Sequence, residues 1–253
     1  MKFLVSVRCA LPAVLLSLSA VAAQAGELTV SAASSLSQAF KELAQSFEAG
    51  HPGTQVRLNF GASGALLQQI AKGAPVDVFA SADEETLDAA VAQGLVAASE
   101  RKDFARNTLV LVVPTDSPLA LGQLEDLTQP GVRRIAIGNP ASVPVGRYAR
   151  RALEVAKLWQ PLQAKAIPTQ NVRQSLDYVA RGEVEAGFVY ATDAAVMPDK
   201  VRVAFKVALD RPIRYPVARV AGSANADEAG RFVDYVRSPA GQAILGRHGF
   251  LKP

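Results

Sequence analysis

The chain is poor in the residues that most protein chemistry needs. Its 253 residues include one cysteine, two histidines and one tryptophan. The cysteine, Cys9, stands close to the amino terminus behind Arg8, so the rest of the chain has no thiol, no disulfide and no cysteine metal site. His51 and His248 lie at opposite ends of the sequence and make no metal cluster. There is no G-x-x-x-x-G-K-S/T and no strand-linked G-x-G-x-x-G, so nucleotide binding lacks its signature. No basic tract is interleaved with aromatics, which argues against nucleic acid as a partner. No apolar run reaches the roughly 20 residues of a comfortable membrane span.

What is present is ordinary globular material, 49% hydrophobic and 20% charged, with ample substance for a core. The first 25 residues read as a signal peptide instead of fold. Lys2 and Arg8 give a positive start, Ala10 to Ala23 is apolar, and Ala23-Gln24-Ala25 is a small-x-small cleavage site, with cleavage after about Ala25. An exported, soluble mature chain is expected. The 27 basic residues, less Lys2 and Arg8, face 23 acidic ones, so the mature surface is nearly balanced in charge.

From Leu28 onward one device recurs. Leu28-Thr29-Val30 opens a strand, Ser31 to Ser35 is a run of small and hydroxyl residues, and Leu36, Phe40, Leu43 and Phe47 then form a helical stripe. Gln55 to Phe60 alternates as a strand, Gly61-Ala62-Ser63-Gly64 follows, and Leu66, Leu67 and Ile70 mark the next helix. Ser81-Ala82-Asp83-Glu84 has the form of a capping box opening a helix that ends near Gly94. Asn107 to Pro114 is the strongest strand signal. Further strands are expected at Arg134–Ile137, Val184–Tyr190, Val201–Val207 and Tyr215–Ala221. Helices are expected from Val145 to about Trp159, from the N-cap Asn171 to Arg181, and at Ala226–Arg237 and Ala240–Arg247.

Alternating strands and helices predict an α/β architecture with mostly parallel sheets. The expected division is two lobes, residues 26–108 plus 217–253 and residues 109–216. The strands Leu109–Val113 and Pro216–Val220 would be the two connections, with a cleft between the lobes.

Four strand-to-helix junctions, at Ser34-Ser35, Ser63-Gly64, Val145 and Val172, each offer free helix N-terminal amides, two junctions per lobe. Ser35 and Ser63 add hydroxyls, and Tyr190 adds a phenol at a strand end. No Asp or Glu stands at these positions, which suits a fully ionised oxyanion, because a carboxylate would repel it. Each residue also has a plain structural role open to it. Ser35 with Gln38 fits a capping box, Ser63 fits an N-cap, and Tyr190 fits a core tyrosine with its hydroxyl at the rim. Gly61-Ala62-Ser63-Gly64-Ala65 is also near a nucleophile elbow, so a serine hydrolase using Ser63 is the alternative from another class, although neither histidine has an evident carboxylate partner on a late strand-end loop.

Several runs together give the chain a resemblance. They are Ala32-Ala33-Ser34-Ser35-Leu36, Phe60-Gly61-Ala62-Ser63-Gly64, Gly73-Ala74-Pro75-Val76-Asp77-Val78-Phe79-Ala80, Val143-Pro144-Val145-Gly146-Arg147-Tyr148-Ala149, Asn171-Val172-Arg173 and Gly187-Phe188-Val189-Tyr190. Over essentially the whole mature length the chain resembles the periplasmic molybdate-binding proteins of ABC importers, the ModA-type family. The resemblance implies an α/β, two-lobed periplasmic binding protein fold of the type II kind, located in the periplasm. It implies capture of molybdate, and of tungstate, by Ser35, Ser63, Val145, Val172 and Tyr190, with Ser34 a further possibility because the family commonly has alanine there. Molybdenum would be held only as the oxyanion. The expected partners are that oxyanion and the membrane permease of an ABC transporter, for a monomer that is not an enzyme and has no cofactor. Another tetrahedral oxyanion such as sulfate is the alternative ligand.

Overall fold

In the computed structural model, which describes residues 26–253, the strands sort into two five-stranded sheets. The signal segment inferred for residues 1–25, with its cleavage site and Cys9, lies outside the described residues. The first sheet holds β1 (Gly26–Ala33), β2 (Thr54–Gly61), β3 (Val78–Ala80), β4 (Lys102–Asn107) and β10 (Ile213–Arg219). The second holds β5 (Leu109–Pro114), β6 (Ile135–Gly138), β7 (Ala166–Thr169), β8 (Ala186–Tyr190) and β9 (Val201–Lys206). Packed with the first sheet are α1 (Ser37–Gly50), α2 (Ser63–Ala71), α3 (Glu84–Ala92), α8 (Ala226–Arg237) and α9 (Pro239–Arg247). Packed with the second are α4 (Pro144–Val155), α5 (Trp159–Leu162), α6 (Val172–Ala180) and α7 (Ala191–Ala194).

The two sheets follow one plan. Their strand orders are β2-β1-β3-β10-β4 and β7-β6-β8-β5-β9. In each, one strand pairs in parallel on both sides, β1 with β2 and β3, and β6 with β7 and β8. The strand arriving from the other sheet, β10 or β5, pairs antiparallel with both its neighbours. The sheets are therefore mixed, not mostly parallel as the alternation suggested. A parallel neighbour needs a helix to carry the chain back, and β5 and β10 arrive without one.

The crossings also sit slightly off their expected places. The chain leaves the first sheet at Thr108, between β4 and β5, and returns through residues 207–212. Leu109–Val113 and Pro216–Val220 are thus not shared connections, and the boundary expected at 216/217 falls inside β10. β4 gave no sequence signal because its neighbours Phe104 and Ala105 are both fully buried, which breaks alternation. Its pairing with β10 shifts register between Tyr215 and Pro216.

The helical stripe Leu36, Phe40, Leu43 and Phe47 is fully buried, as its spacing predicts. Phe40 meets Phe104 and Phe232 edge-on at 5.8 and 6.2 Å, and Phe47 meets Phe232 at 5.2 Å. Burying each such side chain contributes roughly 1.5–3 kcal/mol, and these rings tie the carboxyl-terminal α8 to the first helix. Two local expectations differ. α3 is capped by Asp83, which accepts from Thr86 N–H at 3.3 Å, while Ser81 Oγ donates to Asp83 at 3.1 Å. Asp83 is the better cap because its carboxylate is an acceptor only. The helix expected to run to Trp159 stops at Val155, with Lys157 in the left-handed region at φ 60°.

Gly146 fixes how α4 meets β6. A Cβ there would lie 1.8 Å from the carbonyl oxygen of Gly138. Gly146→Ala should lower stability by about 1–3 kcal/mol or more in urea denaturation. Gly230→Ala in α8, with nothing within 4 Å of its Cβ, should raise it by up to about 1 kcal/mol.

Candidate functional site

The 3-10 turn Ser34–Leu36 and helices α2, α4 and α6 begin where β1, β2, β6 and β7 end. These are the carboxyl ends of parallel strands, where open α/β sheets place their ligands. All the residues singled out from the sequence meet there. Ser34, Ser35, Ser63, Val145, Val172 and Tyr190 line one cavity between the two sheets, together with Ala82 and Asn171. The free space inside is only about 10 Å3. That is room for about one water and is far below the roughly 300–1,000 Å3 of pockets for organic ligands. None of its lining residues is charged.

The donors come from the helix starts. Val145 follows Pro144, which has no N–H, so Val145 carries the first N–H of α4. Val172 follows its N-cap Asn171, whose Oδ1 accepts from Gln174 N–H at 3.0 Å. Ser63 is the first residue of α2. Among the described residues, the N–H groups of Ser35, Ser63, Val145 and Val172 have no backbone acceptor. Such unsatisfied amides, with the dipoles behind them, hold negative charge without a cation.

The side chains complete the set. Neither serine caps a helix: the 3-10 turn, α1 and α2 all lack a side-chain cap bond. Ser35 Oγ instead lies 3.0 Å from the Tyr215 hydroxyl, and Ser63 Oγ accepts from Ala82 N–H at 3.0 Å. The Tyr190 hydroxyl is buried and has no partner. Leaving such a group unpaired costs about 1–3 kcal/mol, which a ligand acceptor would remove. Burial, reinforced by nearby Tyr215, Tyr148 and acidic groups, raises the Tyr190 phenol well above its ordinary 10.0, so it keeps its proton to donate.

Two contacts hold the sheets together around this point. Gly64 N–H donates to Ser142 O at 3.0 Å, an approach that a Cβ on Gly64 would obstruct at 2.7 Å. Arg147 of α4 reaches Asp83 at 2.6 and 2.8 Å and Thr86 Oγ1 at 2.6 Å at the start of α3. A wider groove of about 940 Å3 opens beside it between α3 and α4. Its charges are largely matched in pairs, Arg147 with Asp83, Arg150 with Glu154 and Arg151 with Asp210, so it has no comparable surplus of donors. The hydrolase alternative finds no base. His51 Nδ1 bonds Phe47 O at 2.8 Å and His248 Nε2 bonds Glu42 at 2.7 Å, and neither contacts Ser63. Sequence reasoning gave no site role to Tyr215, the Ala82 amide or Arg147, since the partner that each one meets lies on another element far along the chain.

The family model for bacterial extracellular solute-binding proteins matches residues 28–251. The molybdate-binding protein ModA of Escherichia coli (strain K12) is 35% identical over 233 residues, covering 90% of each chain. A putative ABC transporter substrate-binding lipoprotein of Bacillus subtilis (strain 168), YvgL, is 35% identical over 225 residues, covering 88% of this chain and 85% of the relative. Among solved structures, the periplasmic molybdate-binding protein of Azotobacter vinelandii superposes with a TM-score of 0.79 at 27% identity, covering 89% of this chain and 99% of that one.

Beneath Tyr190 lies one titratable group with a measurable consequence. Asp193 is fully buried, paired with Arg173 at 2.8 Å, and accepts from Tyr190 N–H at 3.4 Å. Burial outweighs the pull of Arg173 and raises its carboxyl from 3.8 to about 6. The folded state therefore binds this proton more tightly than the unfolded one. Relative to Asp193→Asn, wild-type stability should fall as pH rises from about 4 to about 6, by on the order of 3 kcal/mol. Urea denaturation of both proteins across that window measures it, and parallel curves would refute it.

Proposed function

The chain belongs to the bacterial extracellular solute-binding protein family, and on that premise we propose that it captures molybdate, and also tungstate, for an ABC importer. It acts outside the cytoplasm as a receptor without turnover and passes the oxyanion to the membrane permease. The observation that carries the reading is the uncharged cavity, with its unpartnered Tyr190 hydroxyl and its helix N-termini from both sheets. A tetrahedral dianion presents acceptors in every direction, and this site presents donors in every direction. The assigned ligand residues are Ser35 and Ser63 through hydroxyl and amide, Val145 and Val172 through their amides, and Tyr190 through its hydroxyl. Ser34 lines the same cavity and shares the first loop. Closure of the lobes removes water from the ion and strengthens each of these bonds. Selection against sulfate rests on cavity size, since the two dianions share charge and shape.

Calorimetric titration with molybdate, tungstate, sulfate and phosphate tests the reading. Molybdate and tungstate should bind tightly; tight sulfate binding with none for molybdate would overturn it. Ser35→Ala and Ser63→Ala should each weaken molybdate binding by about 1–3 kcal/mol, because each strands a contact to a charged group. Val145→Ala should be nearly silent, since the amide survives.

Gly64→Ala tests closure separately from the donors. Its Cβ would meet the Ser142 backbone of the other lobe, 2.7 Å from the carbonyl oxygen. The variant should bind molybdate at least tenfold more weakly while the free protein melts within a few degrees of wild type.

A further inference from the structure

A serine hydroxyl can donate or accept, and a cavity that excludes protonated oxyanions needs it to donate only. The hydrogen bonds behind Ser35 leave its proton free to donate and occupy one of its two lone pairs. Asn107 ends β4, just before the chain crosses to the second sheet. Its Oδ1 accepts from Thr108 N–H at 2.9 Å, and because a backbone N–H can only donate, this fixes which way the amide faces. Asn107 Nδ2 then donates to Thr192 Oγ1 at 2.9 Å and to the Tyr215 hydroxyl oxygen at 3.3 Å. Tyr215 thus receives a bond from Asn107, and its own proton goes to its remaining partner, Ser35 Oγ, at 3.0 Å. Among the described residues the Ser35 proton has no other partner, which leaves it for the cavity that Ser35 lines.

The chain of bonds is rigidly held. Tyr215 is fully buried, its ring edge-on to Phe104, Tyr190 and Phe250 at 6.3, 5.7 and 5.5 Å. Burial keeps its phenol protonated, well above the ordinary range. Ser63 reaches the same end by a shorter route: the Ala82 N–H occupies a lone pair and leaves the Ser63 proton for the cavity.

We infer that Asn107 and Tyr215 are specificity-determining positioning residues, which set the Ser35 hydroxyl as a donor toward the cavity and so restrict the site to fully deprotonated oxyanions. The inference rests on the oxyanion reading above but not on which oxyanion is the cargo. Two variants separate it from a structural role. Tyr215→Phe keeps the ring and removes the relay, freeing Ser35 to accept. Asn107→Asp replaces the donor by an acceptor of nearly the same shape. The carboxylate takes the Tyr215 proton, Tyr215 accepts from Ser35, and Ser35 turns an acceptor toward the cavity.

The readout is the ratio of dissociation constants for phosphate, which carries a proton near pH 7, and for molybdate, which carries none. Both are measured calorimetrically on the mature chain. In Tyr215→Phe the ratio should fall about tenfold, and in Asn107→Asp further, with molybdate weakened and phosphate strengthened. Circular dichroism and melting confirm that each variant is folded, and if Asn107→Asp does not fold, Tyr215→Phe decides alone. An unchanged ratio, including equal weakening of both ions, overturns the inference. If the wild-type chain takes sulfate and not molybdate, the cargo assignment fails, and the phosphate-to-sulfate ratio decides the present point in the same way.

Discussion

A doubly charged ion can leave water for a protein interior only if fixed dipoles replace its hydration on all sides. That requirement shapes the molecule around the cavity. No lysine or arginine lines it, so the positive ends of helices have to come to it, and each helix needs a strand behind it to aim it. Ser63, Val145 and Val172 are first-turn residues of three helices whose preceding strands belong to two different sheets. Removing solvent from a point between sheets requires that the sheets close on one another, and the Gly64–Ser142 and Arg147–Asp83 contacts are where they do so.

The repeated strand order follows from the same need. Each sheet sets three parallel strands side by side with their carboxyl ends toward the cleft, and beside them lies an antiparallel strand, β10 or β5, that the chain reaches by crossing from the other sheet. The exchange leaves two short passages between the lobes, one a single residue at Thr108. Asn107, just before it, bonds forward to Thr192 in the second lobe and inward to Tyr215 in the first. One side chain therefore ties the crossing at Thr108 to the residues behind the cavity.

Much of this was legible in the residues and some was not. Helix starts were readable because small residues, hydroxyls and Pro144 mark them locally. The stripe from Leu36 to Phe47 was readable because burial on one helical face is periodic. The direction in which β5 and β10 join their sheets was not, since antiparallel insertion depends on where the other lobe lies. β4 escaped because Phe104 and Ala105 are buried side by side. The serines posed the sharpest ambiguity, as Ser35 with Gln38 fits a cap and Ser63 fits an N-cap. Only the positions of Tyr215 and Ala82, far away in sequence, show that both hydroxyls are engaged otherwise.

The bonds from Arg147 to Asp83 and Thr86 join the two lobes beside the cavity, and they must break if the lobes are to part. Bonds that must break before an ion can leave slow its departure more than its arrival. A carrier built this way loses its cargo slowly when alone. Fast unloading then needs a receiving surface that grips the parted lobes more tightly than the joined ones.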